Sequence, residues 1–295
     1  MANRARERRL ARDDGFVAYA MDRLLYRLGR SPQAGAFVLK GGVLVAHLVR
    51  APHRFTRDID VLRSHGPPDP DEMRRRFRDI VAVQVDDGVA FDPAGVRAVP
   101  ADHDEDGYDG VKVFVRARIG QTEVDLRIDV GFGDALVPPA IAAELEPFLP
   151  GDVPARVLAY EAGPVVAEKV ETLLSRFPLV HHRLKDLLDV VVMAASLDFD
   201  GSSLVGSLAA TLARRGTPPD PRVLDDMRDV LTGRRWQADW TAMRREKAVV
   251  GHLDLTEAVA RFDAFVRPLL VAVSTSATIG HWGPGGPWST GGDGR

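Results

Sequence analysis

The chain has 295 residues, 45% of them hydrophobic and 27% charged, with a net charge of −3, which suits one large or two modest soluble domains and gives no overall attraction to nucleic acid. It holds no cysteine, which excludes disulfides, thiolate metal sites and cysteine nucleophiles and accords with a reducing cytoplasm. The basic N-terminus MANRARERRLARDD lacks the apolar stretch of a signal peptide, and no apolar run approaches the roughly 18 residues of a membrane helix, so a cytoplasmic chain without membrane contact is expected.

Phe16, Ala20, Leu24 and Leu28 recur at helical spacing and predict an amphipathic helix over residues 15–28. AFVLK (36–40) reads as a short strand, VLVAHLV (43–49) as a short buried helix ended before Pro52, and DIDVL (58–62) as a strand. A proline-rich turn at 66–70 leads into a helix over 71–83, and ADHDEDGYDG (101–110) reads as an acidic loop. VKVFVRARI (111–119) and TEVDLRIDV (122–130) form a hairpin across Gly120-Gln121, and a further short extended piece falls near Ala155–Tyr160. Beyond Tyr160 helical patterns dominate, at 164–177, 183–197, 202–214, 222–231, 236–246 and 255–271. The expected organisation is an α/β domain over 1–155, a helical domain over 156–273 and a Gly-, Ser- and Pro-rich tail without structure over 274–295, despite its two tryptophans.

Strand alternation puts Asp58 and Asp60 on one face and Ile59 and Val61 on the other. Two carboxylates so spaced can converge on a hard cation, and Mg²⁺ is usually held by one or two carboxylates plus substrate phosphates. Standing alone, such a motif is more often a pair of solvated acids on a wet strand face. The hairpin's second strand adds Glu123, Asp125, Arg127 and Asp129 on a single face, so a third carboxylate can meet the first two. Alternation does not choose among Glu123, Asp125 and Asp129; the place of Asp129 at the strand end, beside Gly131 and Gly133, favours it. Three carboxylates around divalent ions suit phosphoryl or nucleotidyl displacement. A solvated edge strand is the plain alternative.

Lys40-Gly41-Gly42 opens a helix. Free N–H groups there attract phosphate, glycine lets phosphate approach the backbone, and Lys40 adds positive charge, although a Gly-Gly turn before a helix is common. Further on, Val166, Val170, Leu173 and Phe177 form an apolar stripe with Lys169 at its edge. Leu184, Leu187, Leu188 and Val191 form another, while Asp186 shares a lane with Val190 and Met193 and needs a partner there. Lys169 is a candidate, and spacing leaves a structural salt bridge and an active-site pair equally open. His181 and His182 show no metal-ligand spacing.

Taken in order, VLKGG, RFTRDIDVL, DGVAFD, YDGVKV, RIDVGFGDAL, YEAGPVVAEKVETLLSR, RLKDLLDV and FDG, over about residues 36–205, resemble the AbiEii/AbiGii family of nucleotidyltransferase toxins, which includes the MenT-type toxins. The N-terminal helix and the glycine-rich tail lie outside the resemblance. It implies an α/β (α+β) fold: a polymerase-β-like nucleotidyltransferase core with a mixed sheet, followed by a helical C-terminal bundle. It also implies Mg²⁺, or Mn²⁺ in its place, and a nucleoside triphosphate (NTP) as substrate. Gly41 and Gly42, with Lys40 before them, correspond to the nucleotide-binding position, Asp58 and Asp60 to metal binding and catalysis, and Asp129 to the third acidic position. Lys169 and Asp186 correspond to later motifs that contact nucleotide or assist the chemistry. Members act as toxins neutralised by a cognate antitoxin, and some add nucleotides to the 3′ end of tRNA. Arg50, Arg54 and Arg57 would then line a groove for an RNA terminus. The rival readings are nucleotidyl transfer to a protein or small molecule, and a non-catalytic nucleotide-binding module. The chain departs from the pattern where Gly42 replaces the serine of many nucleotidyltransferases, where His181 and His182 replace polar residues, and where Leu188 replaces an aromatic.

Overall fold

The structure is a computed structural model that describes residues 1–50, 55–101, 110–178, 183–246 and 253–289. Most of the expected acidic loop (102–109), Arg54, His181 and His182, and the end of the tail (290–295) lie outside the described residues. The chain divides into two compact units, one made of Met1–Asp134 and Ala140–Tyr160, the other of Ala135–Pro139 and Glu161–Arg295.

The first unit carries helices α1 (Ala2–Glu7), α2 (Arg12–Arg30), α3 (Gly41–Leu48) and α4 (Pro70–Val81). Its strands are β1 (Val38–Lys40), β2 (Asp58–Arg63), β3 (Val89–Phe91), β4 (Arg97–Pro100), β5 (Gly110–Ile119), β6 (Thr122–Phe132), β7 (Ile141–Leu145) and β8 (Ala155–Ala159). They form one sheet in the order β3-β5-β6-β2-β1-β8-β7, with β4 also paired to β5. The sheet is mixed: β2 runs parallel to β6 and β1 parallel to β8, and the other neighbours are antiparallel. β5 and β6 meet in a two-residue hairpin where Gly120, at φ +59°, supplies the left-handed backbone such a turn needs. Alternation is visible in burial, since Val124, Leu126, Ile128 and Val130 on β6 and Ile59 and Val61 on β2 are buried with Leu24 and Leu28 of α2 and Phe77 and Ile80 of α4. α4 begins as its sequence dictates: Asp69 accepts a hydrogen bond from the Asp71 N–H, and Pro70 occupies the first turn where a missing donor costs nothing.

Three short strands and α1 were not expected. β4 reads RAVP, mostly exposed and ending in proline, so neither alternation nor an apolar run announces it. β8 moves the expected boundary at residue 155. It pairs with β1, and the Tyr160 N–H donates to the Leu39 carbonyl at 3.0 Å, so residues 155–160 belong to the first unit.

The second unit holds α5 (Ala162–Arg176), α6 (Leu184–Ser196), α7 (Gly201–Arg215), α8 (Val223–Leu231), α9 (Arg234–Glu246) and α10 (Leu255–Thr275), with the short strands β9 (Phe199–Asp200) and β10 (His281–Trp282). α10 packs against α6, α7 and α8, burying Phe262, Phe265, Val266, Leu269 and Leu270. The structureless tail expected from residue 274 is corrected here. α10 runs on to Thr275, β10 pairs with β9, and Trp282 is 5% exposed. Trp282 Nε1 donates to the Ala194 carbonyl at 2.7 Å and Trp288 Nε1 to the Phe265 carbonyl at 2.9 Å. The Trp288 ring stacks on Phe265 and Trp282 meets the same ring edge-on. Two indoles with apolar bodies and satisfied N–H groups outweigh a composition rich in turn formers.

Candidate active site

β2 and β6 lie side by side with Asp60 opposite Asp129 and Asp58 opposite Arg127. All four side chains therefore rise from one face of the sheet, and those of Asp58 and Asp129 stay 24% and 27% exposed while their strand neighbours are buried. The structure brings Asp58, Asp60 and Asp129 together. Asp125 and Glu123 share their parity but lie nearer the hairpin, where Asp125 pairs with Arg116 at 3.1 Å in the open and Glu123 stands opposite Arg118. Position along the strand separates these acids, which alternation does not read.

Two residues outside the sequence expectation complete the cluster. Arg127 places one atom, Nη2, 2.9 Å from Asp58 Oδ2 and 2.9 Å from Asp129 Oδ2. Partial burial lowers the pKa of its guanidinium, but the neighbouring charges of Asp129 and Asp58, with a hydrogen bond to Asp129 and a smaller pull from Asp60, raise it on balance. The Thr56 hydroxyl donates to Asp58 Oδ1. The same-face run Glu123, Asp125, Arg127, Asp129 contains Arg127, and Thr56 stands two residues before Asp58, so the period of two is the signal that points to both.

β1 adjoins β2 with Lys40 opposite Asp60, and α3 starts at the next residue. Gly41 has φ +64°, and a Cβ built on it would fall within the Asp60 carboxylate. Asp60 Oδ2 in turn accepts from the Gly42 N–H at 3.3 Å, capping a helix whose own N-cap residue, Lys40, supplies no side-chain cap. Lys40 is turned elsewhere. Its Nζ lies 2.7 Å from Asp134 Oδ2 and 5.7 Å from the centre of the Tyr160 ring, and the residue is buried. The positive charge expected beside the glycines is thus engaged in a buried ion pair.

Among the described residues, no group of three or more His, Cys, Asp or Glu side chains is arranged to hold a metal ion. The reason is local: Asp58 and Asp129 converge on the Arg127 nitrogen, while Asp60 reaches the helix start. The donor set still suits a hard divalent cation. Carboxylate oxygens from two adjacent strands already meet at one cationic atom, and Mg²⁺ asks for only one or two carboxylates when substrate phosphates supply other ligands.

In the second unit Lys169 meets Asp186, at 2.7 Å, and also Asp189, at 2.8 Å, all three side chains nearly buried, with Arg183 3.8 Å from Asp186. Asp189 was not expected; it lies three residues after Asp186, on the same side of α6, so helical spacing could have found it. Of the basic residues expected at a groove, Arg50 is exposed and Arg57 is paired with Asp14. A cavity of about 800 Å³ in the first unit is lined by Met21, Leu25, Val43, His47, Phe55 and Phe148 among others, and none of the three carboxylates lines it.

Comparison with known proteins bears on this geometry. The sequence profile described as "Nucleotidyl transferase AbiEii toxin, Type IV TA system" matches residues 23–267. No curated protein matches the chain. Among solved structures, JHP933 from Helicobacter pylori is similar at TM-score 0.51 and 15% identity, over 89% of this chain and 94% of that one. A second Helicobacter pylori structure, named for a nucleotidyltransferase assignment, is similar at TM-score 0.51 and 15% identity, over 91% of this chain and 99% of that one. These likenesses establish the fold, a mixed-sheet α/β nucleotidyltransferase fold followed by helices.

Proposed function

Because the chain belongs to the AbiEii nucleotidyl transferase toxin family of type IV toxin–antitoxin systems and is a nucleotidyltransferase, we propose that it moves a nucleotide from an NTP to the 3′ end of an RNA, a tRNA, at the Asp58, Asp60 and Asp129 face. The observation that carries this reading is the register of β2 and β6, which sets Asp60 opposite Asp129 next to a helix start built from Gly41 and Gly42.

The helix start of α3 receives the β and γ phosphates, and the absence of a side chain at Gly41 makes room for the Asp60 carboxylate beside it. Asp58, Asp60 and Asp129 would hold the divalent cation, Mg²⁺ or Mn²⁺, which supplies neutralisation of triphosphate charge. The acceptor hydroxyl oxygen attacks the α phosphorus in line; one P–O bond forms as the bond to the β-phosphate bridge breaks, and pyrophosphate leaves with its electron pair. Asp129 takes the hydroxyl proton. Thr56 fixes the orientation of the Asp58 carboxylate. Most of the acceleration is positioning and charge compensation. Lys169 and Asp186 match the later family motifs and assist nucleotide binding or the chemistry. A cognate antitoxin is the protein partner that membership of the family implies. Among the described residues no helix is long and apolar enough to cross a membrane.

The test is purified protein with Mg²⁺, labelled NTPs and total tRNA. Label should move to RNA and should not move with the Asp58→Ala/Asp60→Ala variant. Absence of label from RNA, or equal transfer by that variant, rejects the RNA reading; label recovered in protein or small molecules instead identifies the rival acceptor.

A further inference from the structure

Two carboxylates and one guanidinium nitrogen define a point in the first unit. Asp58 comes from β2 and Asp129 from β6, and each sets an Oδ2 atom 2.9 Å from the same Nη2 of Arg127. Carboxylates this close repel one another at a partly desolvated face, and a positive charge between them removes that repulsion. The guanidinium keeps its charge at any ordinary pH, so only movement of the side chain takes the charge away. Movement is open to it, because the Arg127 side chain is 45% exposed although its two partners are mostly covered.

We propose that Arg127 is a resident counter-cation of the Asp58–Asp129 pair, which a divalent ion must displace, so that the site loads metal weakly on its own and strongly together with nucleotide. The inference rests on the carboxylate-site reading given above. A divalent ion bound by the same two Oδ2 atoms would overlap Nη2 and meet a like charge at contact distance, so the two occupants exclude each other. Once displaced, the guanidinium stands at the same face as the incoming triphosphate, and its planar fork is shaped to bind phosphate oxygens in pairs. Nucleotide therefore provides the displaced charge with a new partner. Metal and nucleotide then raise each other's affinity by the same factor, as linkage requires.

Mn²⁺ binding to the full-length protein, measured by electron paramagnetic resonance or calorimetry, tests this without reference to turnover. The arms are wild type and Arg127→Met, each with Mn²⁺ alone and with Mn²⁺ plus the α,β-methylene analogues of the common ribonucleoside triphosphates. Arg127→Met should bind Mn²⁺ alone about tenfold or more tightly than wild type, and nucleotide should enhance its binding much less. Equal or weaker binding by the variant overturns the inference. If Arg127→Met does not fold, Arg127→Gln replaces it: its neutral amide keeps a polar side chain at the face but removes the charge between the carboxylates, so a shift of about tenfold in the same direction is expected, and no shift overturns the inference. Wild type that takes up no Mn²⁺ even with the analogues overturns the carboxylate-site reading and this inference together. Wild type that loads Mn²⁺ with nucleotide, beside a variant indistinguishable from it, overturns the role of Arg127 alone.

Discussion

Gly41 and Asp60 share a space that holds only one side chain. Gly41 adopts φ +64° at the junction of β1 and α3, and the room a Cβ would fill there is taken by the Asp60 carboxylate, which reaches past it to the Gly42 N–H. Helix start and acidic strand are thereby built as one object, each requiring the residue type found on the other.

Replacing Gly41 by alanine should separate strain from collision. Gly120 has a similar φ of +59° but nothing near its would-be Cβ, so Gly120→Ala measures the left-handed backbone alone, about 1 kcal/mol. Gly41→Ala adds displacement of Asp60 and should cost about 2–4 kcal/mol with loss of nucleotidyl transfer. Thermal or urea denaturation of the two variants decides the matter. Equal losses would mean that Asp60 moves aside freely.

Charge at one strand position, rather than acidity of a strand face, should control activity. Asp129→Asn is expected to lower transfer by about a hundredfold or more. Asp125→Asn, four residues back along the strand on the same face and paired in the open with Arg116, should leave transfer within about twofold. Rates of label incorporation for the two proteins are the comparison, with circular dichroism to show that both are folded. A large loss from Asp125→Asn would place the acid cluster elsewhere on β6.

Lys169 sits between two carboxylates of α6 that are almost wholly covered, Asp186 and Asp189. Lys169→Met should destabilise the second unit by about 3–5 kcal/mol, because both carboxylates lose the ammonium between them. Adding Asp186→Asn and Asp189→Asn to it should recover much of that loss, as like charges no longer face each other. Denaturant unfolding reads both steps. A single variant as stable as wild type would show that Lys169 is held there for chemistry and not for packing.

Truncation after residue 278 tests the tail. It removes Trp282 and Trp288 from Phe265 and leaves the Ala194 carbonyl without its indole donor. A drop in stability of about 3–5 kcal/mol is expected, the usual cost of deleting a buried aromatic. Indole fluorescence of the intact protein should also be blue-shifted relative to the unfolded chain. An unchanged melting temperature after truncation would contradict the packing described.

Much of this protein is legible along the chain. The period of apolar residues marks α2, β2, the β5–β6 hairpin and the helices after Tyr160, because burial of one face is a local property of strand or helix. The same alternation assigns Asp58 and Asp60 to one face, and the ordered motifs name the family. Elements with no apolar face, such as β4, leave no such trace, and in the tail a composition that suits turns outweighs the two tryptophans when only the sequence is read.

What pattern alone left open was pairing. Its place at the strand end favours Asp129 over Asp125 and Glu123, but that it meets Asp60 follows only from the parallel register of β6 and β2. Lys40 could face a phosphate or another side chain, and the fold turns it to Asp134 and Tyr160. Arg127 looked like one more polar residue on a wet strand, and the strand order sets its guanidinium between two acids. Periodicity states which face a residue occupies; the neighbour across that face is fixed by contacts between segments distant in sequence, and those form only when the sheet closes.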